Sequence, residues 1–363
     1  MEQERESATR GKVIELHPSQ GGRVLVTGGT GFVAGWCIAL LLERGFAVRA
    51  SVRRSEGEAL VRAALAKMPG AQQDWQERLD FAEADLASEA GWDAAVRGCT
   101  HVLHLAYPKA QDIENQGPDL INQAVGGAIR VLRASMNARV KRVVMTSSLM
   151  AAMPDGAPVS TEHVWTDPEK PGMDDYSLSK LYAERGAWDF MAEEVRRGGS
   201  KMEFVTLLPG TILGPVLHLD MVEAVGLIQR ILQGKPRVLP ELRLQIADVR
   251  DLAEAHIAAM LSPQADGQRF IIAGEEVSLP EIAQHLRDRL GDKARKVPTG
   301  AYPDMIVKLA SGFDSELRQL VASHSGLPVF SSARAAERLD YRPRPIAETV
   351  VDCANSLFAN NAA

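Results

Sequence analysis

The residues best suited to chemistry are a tyrosine and a lysine four positions apart, Tyr176 and Lys180. On a helix such residues share a face, so the ammonium is expected beside the phenol. A free tyrosine has a pKa of about 10, and a neighbouring positive charge lowers that pKa toward the working range of an acid–base catalyst. The pair therefore suits proton exchange with an alcohol or carbonyl oxygen. The same spacing also occurs on solvated helix faces, so it is weak evidence by itself.

Two serines, Ser147 and Ser148, follow the predicted strand 142–146. A hydroxyl at that strand end can hydrogen-bond the same substrate oxygen that Tyr176 would protonate. Ser148 is the preferred candidate for this role, and Ser147 is the alternative. The serine makes a catalytic interpretation of the tyrosine and lysine much stronger.

The spacing of the histidines and cysteines does not indicate a metal site. His101 and His104 lie three apart in a predicted strand, so they point to opposite faces and cannot share an ion. Both are interpreted as structural. The three cysteines, Cys37, Cys99 and Cys353, lack metal-ligand spacing, which favours reduced thiols in a cytoplasm.

A glycine-rich turn near the start of the chain predicts dinucleotide binding. The run 24–26 predicts a buried strand, Gly28 and Gly31 bound a tight turn, and a helix follows at 37–44. Such glycines permit the turn and let the backbone approach a pyrophosphate at the positive end of the helix. Ala34 is the small third residue that lets helix and strand pack closely. A purely structural turn is the alternative.

The residues after the second predicted strand favour NADP(H). A fold that prefers NAD places an acid there for the ribose 2′-hydroxyl, but no acid occurs between Gly45 and Ser55. Arg53 and Arg54 stand there instead, and guanidinium groups pair well with phosphate oxygens. Two solvated arginines after a strand are the alternative interpretation.

Asp85 follows the third predicted strand and precedes Leu86. Its carboxylate could accept a hydrogen bond from an adenine amino group, with Leu86 against the ring. Asp85 could instead cap the next turn.

The order of predicted elements supplies the scaffold for these residues. Alternating strands and helices imply parallel pairing with right-handed crossovers, hence an α/β fold with a Rossmann-type doubly wound parallel sheet. Ligands bind at the carboxyl ends of the strands in such sheets. The predicted strands are 24–26, 47–52, 79–82, 101–106, 142–146, 204–208 and 269–272. The predicted helices are 37–44, 58–68, 92–97, 120–136, 176–196, 221–232, 251–261, 280–290 and, largely, 302–320.

The alternation ends beyond residue 214, which divides the chain into predicted regions. Residues 1–21, polar and mixed in charge, are predicted to be a disordered N-terminal extension. Residues 22–210 form an NADP-binding Rossmann domain, to which segments at about 242–275 return. Residues 211–241 and 276–350 form a smaller, mostly helical substrate-binding lobe.

Composition excludes several function classes. The chain has 363 residues, enough for an ample core, and a net charge of −6, which offers no attraction to nucleic acid or an anionic membrane. No apolar stretch reaches membrane-spanning length, and the first residues lack the apolar core of a signal peptide. A cytoplasmic protein is expected.

Together these motifs resemble an extended short-chain dehydrogenase/reductase, and more closely the dihydroflavonol reductase and aldehyde (carbonyl) reductase branch. The likeness spans about residues 22–350, and the ordered set is more specific than any single motif. The segments that carry it are 26–33, 48–53, 84–86, 98–104, 143–148, 176–180, 208–215 and 248–252.

The resemblance implies a role for each site residue. Ser148, Tyr176 and Lys180 would be the catalytic triad, Arg53 would contact the 2′-phosphate, and Ala106 would lie near the nicotinamide ribose. The implied cofactor-binding residues are Thr27, Gly28, Thr30, Gly31, Phe32, Val33, Arg53, Asp85, Leu86, Leu105, Ala106, Tyr107, Tyr176, Lys180, Pro209, Gly210, Thr211 and Ile212.

Two positions depart from the family pattern. Ala34 replaces the third glycine that is usual in extended members, which favours the carbonyl-reductase branch over sugar-nucleotide epimerases. Ala124 stands where many relatives have the helix asparagine of a proton relay. The relay beyond Lys180 is therefore left without an assigned residue.

The predicted function is NADPH-dependent reduction of an aldehyde or ketone to the alcohol. Tyr176 would be the general acid, Ser148 would polarise the carbonyl, and Lys180 would lower the tyrosine pKa. The alternatives are a hydroxysteroid-type dehydrogenase or a sugar-nucleotide epimerase, and, less favoured, a non-enzymatic NADP-binding regulator.

The predicted partner is a small-molecule carbonyl or alcohol, without nucleic acid or membrane. Its pocket is expected to be hydrophobic, with walls from the loop after Tyr107, the stretch after Ser148 and residues 211–221. The family also implies a homodimer formed through a helix pair.

Overall fold

The computed structural model describes residues 22–68, 75–108, 117–170, 173–199, 201–300 and 326–362. The predicted extension at 1–21, the predicted helix at 302–320 and most of the predicted loop wall after Tyr107 lie outside these residues. Within the described ranges the strands are β1 (Arg23–Val26), β2 (Val48–Val52), β3 (Leu79–Glu83), β4 (Cys99–His104), β5 (Arg142–Thr146), β6 (Val159–Ser160), β7 (Glu203–Pro209), β8 (Thr211–Leu213), β9 (Arg243–Asp248), β10 (Arg269–Ile272), β11 (Glu276–Ser278) and β12 (Val329–Phe330).

The helices of the same ranges are α1 (Phe32–Glu43), α2 (Glu56–Ala66), α3 (Trp75–Arg78), α4 (Trp92–Val96), α5 (Pro118–Asn137), α6 (Asp175–Arg196), α7 (Gly226–Leu232), α8 (Val249–Leu261), α9 (Leu279–Leu290), α10 (Ala333–Leu339) and α11 (Ile346–Ala359). Short 3₁₀ turns lie at Leu149–Ala152, Leu219–Val225 and Gly291–Ala294. No helix in this described part of the chain is both long and apolar enough to cross a membrane.

Seven strands form one parallel sheet in the order β3-β2-β1-β4-β5-β7-β10. This arrangement confirms the predicted Rossmann-type doubly wound fold. The strand order reverses between β1 and β4, and the carboxyl ends of strands at such a switch point form the crevice where ligands bind. The glycine-rich turn after β1 and the residues after β4 meet there.

Alternate strand residues face opposite layers of helices, as the two-residue period of a strand requires. Val24 and Val26 of β1 pack in the core beneath α1 and α8, whereas Leu25 packs with α4, α5 and α6. In β5, Val144 and Val143 divide between the same two cores. Burial on both faces explains why these strands are continuous apolar runs in the sequence.

A smaller sheet and a second core lie beyond β7. In this sheet β8 pairs with β9 in parallel and β11 pairs with β9 in antiparallel orientation. Its neighbouring core combines apolar residues of α7, α9 and α11. The division into a Rossmann domain and a substrate lobe stays a prediction.

Three details of the prediction need correction in this part of the chain. The strand β9, predicted to return to the main sheet, lies in the smaller sheet, whereas β10 joins the main sheet. The predicted helix 221–232 is a 3₁₀ turn up to Val225 and becomes α-helical only from Gly226, because glycine disfavours a helix interior. Helix α11 continues to Ala359, past the predicted lobe end at 350.

Candidate active site

The glycine-rich turn brings the end of β1 against the segment that follows β4. Gly28 has a φ of 68°, and a Cβ there would lie 2.9 Å from the Cα of Ala106. Glycine is required for both reasons. Helix α1 begins directly after Gly31, and the described residues give its amino end neither a side-chain cap nor an acid in the first turn. Its first N–H groups therefore favour an anion.

Thr27 holds these two segments together from inside. Its side chain is fully buried, and its Oγ1 accepts hydrogen bonds from the N–H groups of Leu105 (3.0 Å) and Ala106 (2.9 Å). The O–H of Thr27 can donate to Nδ1 of His104, 2.9 Å away. The buried Thr27 side chain thus supports the turn, and the predicted cofactor-binding role of this residue stays a prediction.

The end of β2 lies beside the same turn. The Gly29 N–H donates to the carbonyl of Ser51 (2.8 Å), and the Gly28 N–H donates to the hydroxyl of Ser51 (3.1 Å). Arg53 and Arg54 follow directly and are exposed. The sequence-based assignment of a phosphate-binding arginine is thus compatible with its place in the fold, and stays a prediction.

Asp85 caps the turn that follows it. Its Oδ1 accepts the N–H of Ala87 at 2.9 Å, which is the alternative role considered from the sequence. Leu86 is 8% exposed and packs against α5 at Gly127. An adenine contact by either residue stays a prediction.

The chain crosses from the main sheet to the smaller sheet at Pro209 and Gly210. The Gly210 N–H donates to the carbonyl of Ile272 at 3.0 Å, and a Cβ on Gly210 would overlap the Gln245 carbonyl. The half-buried Thr211 begins β8 directly afterwards. The predicted nicotinamide-pocket residues therefore lie at a fixed crossing point of the backbone.

Helix α6 carries Tyr176 and Lys180, and β5 delivers Ser148. The Asp174 carboxylate starts α6 by accepting the N–H of Ser177 at 2.8 Å. The helix packs against the 3₁₀ turn Leu149–Ala152 that follows Ser148, so the structure brings these elements together. Tyr176 is 48% exposed, whereas Lys180 is 9% exposed.

The two candidate serines have different surroundings. Ser147 is buried and donates its hydroxyl to Glu184 at 2.6 Å, so it cannot serve a substrate. Ser148 is partly exposed, and its hydroxyl accepts the Met150 N–H at 3.2 Å, a bond in which its own proton takes no part. The geometry favours Ser148, as the sequence analysis preferred.

Tyr107 lies at the centre of the site. The Lys180 Nζ is 4.1 Å from the centroid of the Tyr107 ring and 5.9 Å from that of Tyr176. The two rings meet edge to face with centroids 5.5 Å apart, and the Tyr107 hydroxyl lies 2.6 Å from the Ser179 hydroxyl. Tyr107 was predicted only as a cofactor contact, whereas the structure also makes it a cation–π partner of the lysine.

The electrostatics of the pair differ from the prediction. Desolvation raises the pKa of the Tyr176 phenol above its usual value, and Tyr107 and Asp174 add to this rise. The pKa of Lys180 falls to about 8 because of burial, although the nearby Glu184 carboxylate opposes that fall. The net direction for Tyr176 is therefore opposite to the predicted lowering, because desolvation dominates and the Lys180 ammonium lies nearer to Tyr107 than to Tyr176. The role of Lys180 toward the phenol stays a prediction.

Sequence reasoning missed the carboxylate beneath this site. Glu184 is fully buried four residues after Lys180 on α6, and it pairs with Arg269 of β10 at 2.8 Å. The same four-residue spacing that identified Tyr176 and Lys180 could have indicated it. The predicted relay position, Ala124, is 5% exposed and packs in the core.

The described residues contain no group of three or more histidine, cysteine, aspartate or glutamate side chains that could hold a metal ion. His104 is buried with a pKa lowered to about 3 by burial and by Lys180. His101 contacts the Thr100 hydroxyl at 2.9 Å.

Comparison with known proteins identifies related reductases. A model of the NAD dependent epimerase/dehydratase family matches residues 24–273. Anthocyanidin reductase of Vitis vinifera is 33% identical over 309 residues, which cover 79% of this chain and 86% of that protein. Dihydroflavonol 4-reductase of Zea mays is 33% identical over 283 residues, which cover 75% of each. These matches confirm the predicted resemblance.

Solved structures agree on the fold. The yeast methylglyoxal/isovaleraldehyde reductase Gre2, solved with NADPH, superposes with a TM-score of 0.75 at 24% identity and covers 94% of this chain and 100% of its own. Vestitone reductase from alfalfa (Medicago sativa) gives a TM-score of 0.72 at 25% identity, with the same coverage. The likeness to the yeast structure is evidence of fold alone.

Proposed function

This chain belongs to the NAD dependent epimerase/dehydratase family, and we propose that it reduces an aldehyde or ketone to the alcohol with NADPH. The observation that carries the proposal is the position of the Lys180 ammonium, 4.1 Å from the centroid of the Tyr107 ring and 5.9 Å from that of Tyr176. The names of its relatives, which are reductases, support the same class of reaction.

The residues present fit this cofactor. The turn at Gly28 leaves no space for a Cβ against Ala106, and the amino end of α1 presents N–H groups that would hold the pyrophosphate. Arg53 would hold the 2′-phosphate. When bound, the nicotinamide supplies the hydride.

Tyr176 would give its phenolic proton to the carbonyl oxygen. The phenol is protonated at neutral pH, so it holds the proton that a donor must give. The Lys180 ammonium would stabilise the phenolate that remains. The Ser148 hydroxyl would donate to the same oxygen and orient it.

The substrate walls are proposed more narrowly than the sequence predicted. Within 211–221, Leu217 and Met221 are buried and pack against α1 at Gly35, so they belong to the core. The stretch after Ser148 begins with Leu149, which is also buried, and Met150, which is partly exposed. An apolar wall at Met150 suits a hydrophobic carbonyl compound.

The proposal is tested by following NADPH oxidation with aldehydes, ketones and β-keto esters, with NADH in parallel. We expect turnover that strongly prefers NADPH. Tyr176→Phe should lose about 100-fold of kcat or more, because it removes the proton donor, yet it should still bind NADPH. The matched control is Tyr182→Phe on the same helix, where the side chain is 37% exposed and kcat should stay at the wild-type value.

Two results would contradict the proposal. Substantial turnover by Tyr176→Phe would show that Tyr176 is not the proton donor. Tightly bound NAD in the purified protein, together with no carbonyl turnover, would favour the sugar-nucleotide epimerase.

A further inference from the structure

A buried ion pair joins helix α6, which carries Tyr176 and Lys180, to strand β10. The Glu184 carboxylate is 0% exposed and the Arg269 guanidinium is 7% exposed. Arg269 donates to Oε1 of Glu184 through Nε (2.8 Å) and to Oε2 through Nη2 (3.1 Å). Thr206 of β7 also donates to Oε1 at 2.7 Å. The pair is therefore bidentate and shielded from water.

Arg269 uses all five of its N–H donors. Those that do not bind Glu184 reach the carbonyl oxygens of Glu162 (2.9 Å), Val164 (2.6 Å) and Ala151 (3.1 Å). The guanidinium also lies 3.7 Å from the centroid of the Trp165 ring. Because Ala151 belongs to the 3₁₀ turn after Ser148, the arginine fixes the chain on that side of the serine.

Glu184 fixes the chain on the amino-terminal side of Ser148. Its Oε2 accepts the hydroxyl of Ser147 at 2.6 Å, so the residue before Ser148 is tied to α6. The carboxylate also lies one helical turn beyond Lys180 and two beyond Tyr176, on the same face. One buried carboxylate on the helix that delivers the lysine thus contacts the residue that directly precedes Ser148.

A buried ion pair of this kind is weak evidence for stability, because desolvation offsets the Coulombic attraction. We propose that Glu184, held by Arg269, is a positioning residue of the active site, which sets the backbone on both sides of Ser148 and places a negative charge one helical turn from Lys180 on the same face of α6. The inference rests on the proposed reductase function, in which Ser148 and Lys180 act on the substrate.

The groups that face Lys180 in the described structure determine the expected pH dependence. They are Glu184 and Tyr176 on α6, and Tyr107 and His104 at the end of β4. His104 is neutral at working pH, and both phenols are protonated because desolvation raises their pKa values. Glu184, whose charge is shared with Arg269, is then the group whose negative charge opposes the fall in the Lys180 pKa that burial causes.

The test compares Glu184→Gln with wild type. Glutamine keeps the shape of the side chain but removes its charge, so the Lys180 titration should move to lower pH by about one unit. Competitive acylation of lysines across pH, read by mass spectrometry at Lys180, measures this midpoint without any turnover. The alkaline limb of kcat should move in the same direction, because the ammonium is lost at a lower pH.

Three further variants distinguish a role of Glu184 in positioning the site residues from a role in the stability of the fold alone. Glu184→Asp keeps the charge and should hold the Lys180 midpoint near wild type. Ser147→Ala should lower kcat without moving that midpoint, since it removes only the hydrogen bond between Ser147 and Glu184 that holds the chain before Ser148. Thr206→Val should lower the melting temperature and leave the midpoint unmoved. If Glu184→Gln does not fold, Glu184→Asp and Ser147→Ala still decide the question.

An unmoved Lys180 midpoint in folded Glu184→Gln, or a wild-type kcat in Ser147→Ala, would overturn the inference. Failure of the proposed function has a different signature. In that case the wild-type protein turns over no carbonyl compound, while the acylation midpoint still responds to the charge at residue 184.

Discussion

Two arginine–carboxylate pairs in this protein have the same chemistry and different neighbours. The central pair is Arg269 with Glu184, beneath the candidate active site. The lobe pair is Arg250 with Asp248, where β9 passes into α8. Each has an N···O distance of 2.8 Å, and each carboxylate side chain is at most 1% exposed. Their roles must therefore be read from what surrounds them.

The lobe pair joins the small sheet to the last helix. The Asp248 carboxylate accepts the Arg250 N–H at 2.8 Å, which caps α8, and the Thr349 hydroxyl of α11 at 2.8 Å. Arg250 also reaches Asp352 of α11 at 2.7 Å. These contacts fasten the chain end, whereas those of the central pair reach both flanks of Ser148. The two pairs therefore differ in the segments that they join, not in their own chemistry.

The largest expected effect comes from Arg269→Met in the central pair. It leaves Glu184 as a buried charge without its main partner, so the free energy of unfolding should fall by about 3–5 kcal/mol. Urea unfolding measures this loss. The double variant Arg269→Met with Glu184→Gln should recover part of the stability, because no buried charge remains. A double variant as unstable as the single one would contradict the argument.

Arg250→Met should have a smaller effect and a different kind of effect. The free energy of unfolding should fall by about 1–3 kcal/mol, because Asp248 keeps its bonds to Thr349 and to the N-terminus of α8. The kcat and its pH limb should stay as in wild type, since the lobe pair ties no residue of the triad. A shift of the alkaline limb of kcat in this variant would contradict the inference that only the central pair acts on the site residues.

The sequence predicts the central sheet well, because its strands have a strong local signal. The apolar runs of β1 and β5 are buried on both faces, and the glycine-rich turn requires glycine for its positive φ and its contact with Ala106. The pair of Tyr176 and Lys180 is likewise local, because both lie on α6.

The central pair could not be predicted in this way. Glu184 and Arg269 are separated by 85 residues, and only the closing of β10 onto β7 brings them together. The short strands β6, β8, β11 and β12 lack enough residues for a period-two pattern, and their partners come from distant segments. The rise in the Tyr176 pKa also depends on residues distant in the sequence, since Tyr107 adds to it and lies nearer than Tyr176 to the Lys180 ammonium.

The smallest effect gives the sharpest comparison, because each pair has a threonine that donates to its carboxylate. Thr206→Val and Thr349→Val should each lower the free energy of unfolding by about 1 kcal/mol, the usual contribution of one hydrogen bond. Combining each of these substitutions with Ser147→Ala distinguishes the two threonines. Thr206 and Ser147 share Glu184 as acceptor, so their losses should couple by about 0.5 kcal/mol or more, whereas Thr349 should add independently. Coupling between Thr349→Val and Ser147→Ala would mean that the lobe pair also acts on the active site.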